Sequence, residues 1–384
     1  MSELYSLLIE EAKKAGFPIA GAVDIDLALK DPQQTFEAHL NRFDSWIEAG
    51  FLGQMEYLRR GRDRRADPRL VFPTTESIFC VGLPYQAQPT GAASSQEGPR
   101  YARYTQGRDY HLDMTDRLQK VMEAVKTQWQ NPIPEKPLAW KVCVDTSAVL
   151  ERTWAALAGL GWIGKNTLLI HPQYGSYFFL GEVLLNQATH QAPKLLPNYC
   201  GHCTRCLDGC PTQAFTQAGH LDSRRCISYW TLEKRGHLDI SPEQHSQIGN
   251  WIAGCDICQE VCPFNRKATR SSRPADPSQK TPPTGLKSYW IDLLQETPED
   301  YKKRTQDSAL DRIKPAQFSR NLAITLTNAM VSWSQELPLT QVQTLLLELM
   351  PLIVQRLKNE SDEAAKREWT YCQHIGESTQ RIES

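Results

Sequence analysis

The most constraining feature of this sequence is a set of eight cysteines crowded into residues 200–262. The first four follow the spacing C-x2-C-x2-C-x3-C-P. The last three follow C-x2-C-x3-C-P, which is the same run without its first cysteine. This spacing is typical of bacterial iron–sulfur proteins. Cys226 lies between the two runs and can supply the missing ligand. The eight thiolates therefore predict two [4Fe-4S] clusters.

The spacing also predicts which cysteines share a cluster, because in two-cluster ferredoxins the fourth cysteine of each run binds the other cluster. The first expected ligand set is Cys200, Cys203, Cys206 and Cys262, and the second is Cys210, Cys226, Cys255 and Cys258. Clusters whose ligands interleave in this way lie close enough to exchange electrons. Structural zinc is the alternative, but zinc sites need two C-x2-C pairs rather than a triplet with a C-x3-C-P ending.

Composition sets the broad class of the protein. A chain of 384 residues with 40% hydrophobic and 23% charged residues is expected to fold as two or three globular domains. The net charge of −1 means that any nucleic acid must bind to a local basic patch. The N-terminus lacks a signal peptide, and no apolar run reaches the about 18 residues that span a bilayer. We therefore expect a cytoplasmic protein without a membrane partner.

Hydrophobic patterns divide the chain into regions. Strands predicted at residues 19–23, 78–83, 138–144 and 177–186 alternate with helical patterns, as in an α/β or α+β domain. The predicted regions are this domain at 1–195, a ferredoxin-like two-cluster domain at 196–268, a linker at 269–285 and a helical domain at 286–384. The apolar stripe over residues 339–357 favours stacked helix pairs in the last region.

Two other stretches are candidates for function. Six arginines follow a predicted helix over residues 35–60, namely Arg59, Arg60, Arg62, Arg64, Arg65 and Arg69. Arginine forks suit phosphate groups, but a solvated helix end paired with Glu56 and Asp63 explains them as well. Residues 101–111 are dense in tyrosine and charge and are expected to line a pocket. The glycines at 159, 161 and 164 follow a helix, which argues against a dinucleotide site.

The order of these parts resembles the epoxyqueuosine reductase family, whose members are cobalamin-dependent enzymes of tRNA modification. The motifs that carry the resemblance are Asp145-Thr146, Leu150-Glu151-Arg152, GLGWIGKNTLLI at 159–170, Gly175-Ser176, CGHCTRCLDGCP, CDICQEVCPFN and SRNLA at 319–323. They extend over nearly the whole chain. The resemblance implies that the N-terminal domain holds cobalamin against the cluster domain, and that HEAT-like C-terminal repeats help to hold tRNA.

The resemblance also implies a reaction. The substrate is the epoxycyclopentane group of epoxyqueuosine at the wobble position of tRNAs with GUN anticodons, and the product is queuosine. Two electrons and two protons enter and one water leaves. An external low-potential donor loads the clusters, the clusters reduce cobalamin, and an acid protonates the departing oxygen. We expect a monomer.

Asp145 matches the proton donor of the family. It follows an apolar strand, where partial burial is expected to raise its pKa and keep it protonated near neutral pH. The alternative is that Asp145 caps helix 149–159 together with Thr146 and Ser147. In that case the acid must be sought among Tyr101, Tyr104, Asp109 and His111.

Contacts to cobalamin and tRNA are expected at smaller sets of polar residues. The expected cobalamin contacts are Lys165, Asn166, Thr167 and Ser176, for which ordinary loop hydrogen bonding is the alternative. The expected contacts to tRNA phosphates are Lys234, Arg235 and Arg320, for which solvated surface cations are the alternative.

Two other functions compete with this interpretation. A reductive dehalogenase would share cobalamin and both clusters, but those enzymes carry an export signal and lack a helical repeat tail. A non-catalytic iron–sulfur electron carrier would contain no corrinoid. The corrinoid content of the purified protein therefore separates a carrier from either enzyme.

Overall fold

The fold of this chain is a computed structural model that describes residues 2–31, 33, 35–85, 98–268 and 286–381. The linker predicted at 269–285 lies outside the described residues. The N-terminal elements are α1 (Glu3–Lys14), β1 (Ile19–Asp24), α2 (Ile25–Leu29), α3 (Thr35–Glu48), α4 (Glu56–Arg60), α5 (Arg62–Ala66), β2 (Ser77–Pro84), β3 (Arg100–Tyr101), α6 (Tyr110–Gln128), β4 (Trp140–Cys143), α7 (Glu151–Leu157), β5 (Trp162–Ile163), β6 (Leu169–Ile170) and β7 (Phe178–Leu185).

Short elements surround the cysteines, and long helices follow them. The cysteine-rich region contains α8 (Arg205–Asp208), β8 (Phe215–Gln217), β9 (His220–Leu221), α9 (Ile227–Leu232), α10 (Pro242–Ile248), β10 (Trp251–Ala253), α11 (Ile257–Glu260) and α12 (Pro263–Lys267). The C-terminal helices are α13 (Leu286–Gln295), α14 (Pro298–Thr305), α15 (Pro315–Glu336), α16 (Leu339–Asn359) and α17 (Glu363–Arg381).

The centre of the N-terminal region is a four-stranded sheet with the strand order β1-β2-β7-β4. All three neighbouring pairs are antiparallel, so the domain is α+β rather than the parallel α/β alternative. Helices α1 and α6 cover one face of the sheet, and α2, α3 and α7 cover the other. Because helices cover both faces, every residue of β2 is buried, and its sequence is a continuous apolar run rather than an alternating one.

The helix predicted over residues 35–60 is interrupted. Helix α3 ends at Glu48, and Gly50 and Gly53 follow with φ angles of 68° and 60°. A Cβ atom on Gly53 would lie 2.3 Å from the hydroxyl of Tyr229, so this turn requires glycine. The turn therefore brings α4 and its arginines close to the cysteine-rich region.

Residues 100–111 join the sheet domain to the cysteine-rich region. Strand β3 pairs in parallel with β10, and the Arg100 guanidinium donates to both carboxyl oxygens of Glu260 at 2.7 and 2.9 Å. The backbone N–H of Arg103 donates to Asp256 at 2.7 Å. These contacts fix the start of the segment, and its far end opens helix α6 beside the sheet.

The C-terminal helices share a hydrophobic core with the cysteine-rich region. Helix α15 packs along α17, and α16 packs against α17 and α13. Trp290, Trp333 and Trp369 are buried in this core together with Leu232 and Ile252, which belong to α9 and β10. The C-terminal region is helical as predicted, whereas its HEAT-like character and the region boundaries stay predictions. None of the described helices has the length and apolar character needed to cross a membrane.

Candidate active site

The cysteine thiols form two electrostatic neighbourhoods. Burial and the neighbouring Cys200, Cys262 and Cys203 raise the pKa of Cys206 to about 11. Burial also raises the pKa of Cys255 and of Cys258, whose thiol neighbours include Cys226, and for Cys258 also Cys210 and Cys206. These neighbours follow the two predicted ligand sets except for Cys206, which also lies near Cys258, and the division of the eight cysteines between two clusters stays a prediction. Within the described residues, no three metal-binding side chains converge closely enough to hold one ion.

Several N–H groups point at cysteine sulfur atoms. The indole Nε1 of Trp162 lies 3.5 Å from Cys200 Sγ, and the backbone N–H of Ala214 lies 3.3 Å from Cys210 Sγ. Such N–H···S contacts stabilise anionic sulfur and tune the potential of a bound cluster. Lys165 Nζ donates to the carbonyl oxygens of Gly201 and Cys203 at 2.7 and 3.0 Å, which fixes the first cysteine loop. The donor set therefore fits iron–sulfur clusters.

The residues expected to contact cobalamin lie where the sheet domain meets the cysteine-rich region. The Asn166 side chain is 3% exposed and donates to the carbonyl oxygen of Cys258 at 3.4 Å. The Ser176 hydroxyl is buried and bonded to Gln259 Oε1 at 2.9 Å. Like Lys165, both residues hold the two regions together. Cobalamin contact by any of them stays a prediction.

Thr167 completes this set in an unusual backbone conformation. Its φ angle of 66° lies in the left-handed region, which a β-branched residue rarely adopts. Its carbonyl oxygen accepts a hydrogen bond of 2.5 Å from Arg152 Nη1. Arg152 is also a charged neighbour of Asp145. Thr167 therefore links the 159–170 loop to the surroundings of Asp145, and its contact with cobalamin stays a prediction.

Asp145 lies just beyond the end of β4, in a left-handed backbone conformation with φ of 56°. Its N–H donates to Glu151 Oε1 at 2.6 Å, and its Oδ2 lies 3.3 Å from His111 Nε2. The hydrogen bond from His111 outweighs burial and lowers the pKa of Asp145. The expectation of a raised pKa is therefore wrong, because an imidazole faces the carboxyl group instead of an apolar wall.

His111 connects two carboxylates. Its Nδ1 lies 2.6 Å from Asp109 Oδ1, and Asp109 also caps α6 by accepting the His111 backbone N–H at 2.9 Å. Burial lowers the pKa of His111, but hydrogen bonds to Asp145 and Asp109 more than offset it, so that the pKa is raised overall. The His111 ring stacks on Tyr110 at 4.0 Å between centroids. The imidazole is therefore fixed in place and favoured as a proton carrier.

The capping alternative for Asp145 is wrong. Helix α7 begins at Glu151, its N-cap residue is Leu150, and no side chain caps it. The Asp145 side chain contacts His111 instead, and the backbone N–H of Asp145 contacts the first residue of the helix. Glu151 of the motif Leu150-Glu151-Arg152 thus accepts a hydrogen bond from the backbone of Asp145, and the Asp145 side chain does not cap the helix.

A buried pair of carboxyl groups lies beneath Asp145. Glu182, in the middle of β7, is 0% exposed, and its side chain contacts that of Glu151. Burial and the charge of Asp145 raise the pKa of Glu151 to about 7, and burial raises the pKa of Glu182 strongly. Sequence reasoning missed Glu182. The signal that could have found it is a glutamate inside the apolar run FFLGEVLL.

The arginines between residues 59 and 69 divide into paired and unpaired groups. Arg62 bonds to both oxygens of Asp44 at 2.9 and 2.6 Å, and Arg59 lies 3.3 Å from Glu56. Arg69 pairs with Asp26, and Arg65 is buried. Arg60 and Arg64 are exposed and make no hydrogen bond or ion pair with the described residues. Arg60 and Arg64 are therefore the arginines of this group that face solvent without a partner among the described residues.

Of the three cations predicted to bind tRNA phosphates, Arg320 is excluded by the structure. Its side chain is 1% exposed and donates to the carbonyl oxygens of Trp230, Lys234 and Gly236. Arg320 therefore ties α15 to the chain around α9, because helix α15 is buried against that region. Lys234 and Arg235 occupy the neighbouring surface. Lys234 Nζ lies 3.2 Å from Asp239, and the exposed Arg235 donates to Gln317 and to the carbonyl oxygen of Arg312.

Comparison with known proteins decides the family. Residues 65–146 match the family described as "Epoxyqueuosine reductase QueG, DUF1730". Epoxyqueuosine reductase from Pseudomonas aeruginosa is 37% identical over 321 residues, which cover 83% of each chain. The enzyme of that name from a Synechococcus strain is 36% identical and covers 84% of this chain and 93% of its own. This chain belongs to the epoxyqueuosine reductase family.

The cysteine-rich region of this chain has a match of its own. Residues 199–265 match a family described as "4Fe-4S double cluster binding domain", and this stretch includes all eight cysteines. The two predicted iron–sulfur clusters are thus supported by the spacing and by this match. The family resemblance drawn from the motifs is confirmed.

Solved structures of epoxyqueuosine reductases share this fold. One was crystallised with an epoxyqueuosine-modified stem loop of tyrosine tRNA. It is 25% identical, with a TM-score of 0.70, and the match covers 98% of this chain and all of that one. The Bacillus subtilis enzyme, also 25% identical with a TM-score of 0.70, was solved with its catalytic aspartate loop swung out of the active site. The match to the Bacillus enzyme covers 97% of this chain and 100% of that chain.

Proposed function

We infer that this chain reduces epoxyqueuosine to queuosine in tRNA. The observation that carries the inference is the 37% identity to an epoxyqueuosine reductase over 83% of both chains. The fold shared with a reductase bound to an epoxyqueuosine-modified stem loop supports the same substrate. The enzyme is an oxidoreductase, and tRNA is its substrate. We place it in the cytoplasm as a monomer that receives electrons from an external low-potential donor.

The electron path is proposed to begin at the two clusters, each held by four of the eight cysteines. The second cofactor is cobalamin, which supplies low-potential cobalt chemistry at the substrate when bound. Two buried polar atoms near the proposed site favour an amide-rich group. Tyr177 Oη, beside Ser176, and Gln106 Nε2, in the segment that leads to His111, have no hydrogen-bond partner in the described chain. Lys165 and Thr167 are the proposed contacts on the neighbouring loop.

Asp145 is proposed to deliver the proton that the departing epoxide oxygen requires. The lowered pKa of Asp145 and the raised pKa of His111 favour a carboxylate beside a protonated imidazole, and His111 is proposed to pass its proton to Asp145 across their 3.3 Å contact. Asp109 holds the other ring nitrogen and fixes the direction of the imidazole. The catalytic aspartate loop of the Bacillus subtilis enzyme supports this role. Two electrons and two protons then convert the epoxide to the alkene and one water.

The proposed contacts to tRNA phosphates are Arg60 and Arg64 in helices α4 and α5, and Lys234 and Arg235 just after helix α9. The backbone N–H of Arg235 donates to Gln54 Oε1 at 2.8 Å, which joins the two surfaces. Burial raises the pKa of Tyr57, in the same helix as Arg60, and the nearby charges of Glu233 and Asp145 raise it further. A local basic patch reconciles phosphate binding with a net charge of −1.

The test is turnover by the anaerobically purified protein. We expect a brown protein with bound corrinoid that converts an epoxyqueuosine-modified stem loop to the queuosine form when given a low-potential reductant. Mass spectrometry of the nucleosides should show the loss of one oxygen atom. Iron without corrinoid and without conversion would instead identify an electron carrier. Reduction of an organohalide without conversion of the stem loop would identify a dehalogenase.

A further inference from the structure

Glu182 is an acid in an apolar layer. It lies between Leu180 and Leu184 on the sheet face covered by α7, and it is 0% exposed. Neither of its carboxyl oxygens accepts a hydrogen bond from any N–H or O–H group of the described residues. A buried carboxylate without donors is strongly unfavourable, so the protonated acid is the expected form. A protonated acid needs an acceptor.

The acceptor available to Glu182 is Glu151. The two side chains contact each other, and Glu151 Oε1 accepts the Asp145 N–H at 2.6 Å. Burial raises the pKa of Glu151 to about 7 and the pKa of Glu182 further, which favours one proton between them. Glu151 can then accept two hydrogen bonds, one from each side. The geometry therefore forms a chain from the centre of the sheet to the backbone of Asp145.

The end of that chain is a strained residue. The φ angle of Asp145 is 56°, in the left-handed region that is uncommon for residues other than glycine. The hydrogen bond to Glu151 is the contact that holds the backbone N–H of Asp145. Without it, the loop could relax to an extended conformation and turn the carboxyl group away from His111.

We propose that Glu151 and Glu182 are positioning residues for the catalytic acid. Protonated Glu182 donates to Glu151, and Glu151 holds the Asp145 N–H, so that the Asp145 carboxyl stays against His111. This inference rests on the proposed role of Asp145. It adds two residues that touch neither substrate nor cofactor. It predicts that the proton shared by Glu151 and Glu182 determines the conformation of the loop that carries Asp145.

The surroundings of the pair determine its pH dependence. The titratable or charged groups that face it are Asp145, Arg152, Arg65, Tyr110, Cys80 and Cys143. Burial raises the pKa of both cysteines, to about 11 for Cys143, so they face the pair as neutral thiols. Loss of the shared proton at alkaline pH would place two carboxylates side by side next to Asp145. The turnover rate is therefore expected to fall as the pair ionises.

The test compares Glu182→Leu with Glu182→Gln, using Glu368→Gln as the control. Glutamine keeps an N–H donor for Glu151 and cannot ionise, whereas leucine removes the donor and keeps the volume. Glu368 is another buried acid with a raised pKa, in helix α17 and not at this site. We expect kcat of Glu182→Leu to fall at least about tenfold at unchanged KM, as for loss of a hydrogen bond to a charged group. Glu182→Gln should stay within about threefold of the wild type and keep only the alkaline fall in rate that comes from His111.

Hydrogen exchange of the peptide that contains residue 145 gives a readout independent of turnover. Exchange should be faster in Glu182→Leu and unchanged in Glu182→Gln and Glu368→Gln. Wild-type exchange and kcat in Glu182→Leu, or equal losses in both Glu182 variants, would overturn the proposal. If the leucine variant does not fold, an unchanged alkaline limb in Glu182→Gln would overturn it. Asp145→Asn assayed in parallel tests the role of Asp145 itself, so the two failures are distinguishable.

Discussion

In the proposed mechanism the cysteine-rich region supplies electrons and the acid site of the sheet domain supplies a proton, and the two are built in different ways. The cluster ligands of residues 200–262 are close in sequence, and their spacing alone predicts their grouping. The acid site brings together Asp109 and His111 from the start of α6, Asp145 after β4, Glu151 from α7 and Glu182 from β7. Electron supply is thus local in the chain, and proton supply depends on the tertiary fold. Variants should separate them.

The largest effect is expected from breaking a cluster. Cys226→Ala removes one ligand from the set with Cys210, Cys255 and Cys258, so iron content should fall by about half on the two-cluster pattern. Turnover with an external reductant should fall below detection, because the electron path is interrupted. Cys372→Ala is the matched control, since this buried cysteine lies in α17 and should leave the iron content unchanged. Unchanged iron in Cys226→Ala would remove Cys226 from the ligand set.

Substitution of His111 tests the proposed supply of the proton. His111→Gln keeps hydrogen-bonding capacity but carries no transferable proton, so turnover should fall about 10- to 100-fold while iron and corrinoid stay unchanged. The pKa of His111 is raised by Asp145 and Asp109 despite burial. Wild-type kcat should therefore fall as pH rises through this raised pKa, and His111→Gln should keep only the fall in rate that comes from the Glu151–Glu182 pair.

The raised pKa of His111 also makes the stability of the folded protein depend on pH. The contribution of the charged imidazole to the free energy of unfolding is fully present below the ordinary histidine pKa of about 6.5. It is lost as pH rises through the raised pKa in the folded protein.

His374→Gln, on the exposed side of α17, is the control for His111→Gln and should change neither the turnover rate nor its pH profile. An identical pH profile in His111→Gln would show that another group carries the proton.

The smallest effects are expected at the RNA surface, which supplies neither electrons nor the proton. Arg60→Ala and Arg64→Ala should each raise the Kd for the stem loop a few-fold and together about tenfold at moderate salt, and should lower the salt dependence of binding. Arg62→Ala is the matched control, because the Arg62 guanidinium is already paired with Asp44. Equal losses in all three variants would mean that the effect is structural.

Sequence analysis predicted the features that are local in the chain better than those that depend on the tertiary fold. Strands β1, β2, β4 and β7 were predictable because local periodicity determines them, and the double-cluster match over residues 199–265 agrees with the cysteine spacing. The pairing of Glu182 with Cys143 was not predictable, because it depends on the antiparallel register between two strands that are far apart in the chain. Arg320 looked like a surface cation in the SRNLA motif. It is buried because α15 packs against the cysteine-rich region as well as the other C-terminal helices.

The most direct test of the central claim is a single turnover by Asp145→Asn, loaded with both cofactors and pre-reduced. Asparagine preserves shape but cannot give up a proton readily, so product formation should be at least about 100-fold slower. Cluster reduction, corrinoid reduction and stem-loop binding should be unchanged, because the cysteine-rich region does not depend on this side chain. Product formation at the wild-type rate would contradict the account, and slowed cluster reduction would show that the supply of electrons and the supply of the proton are not separate.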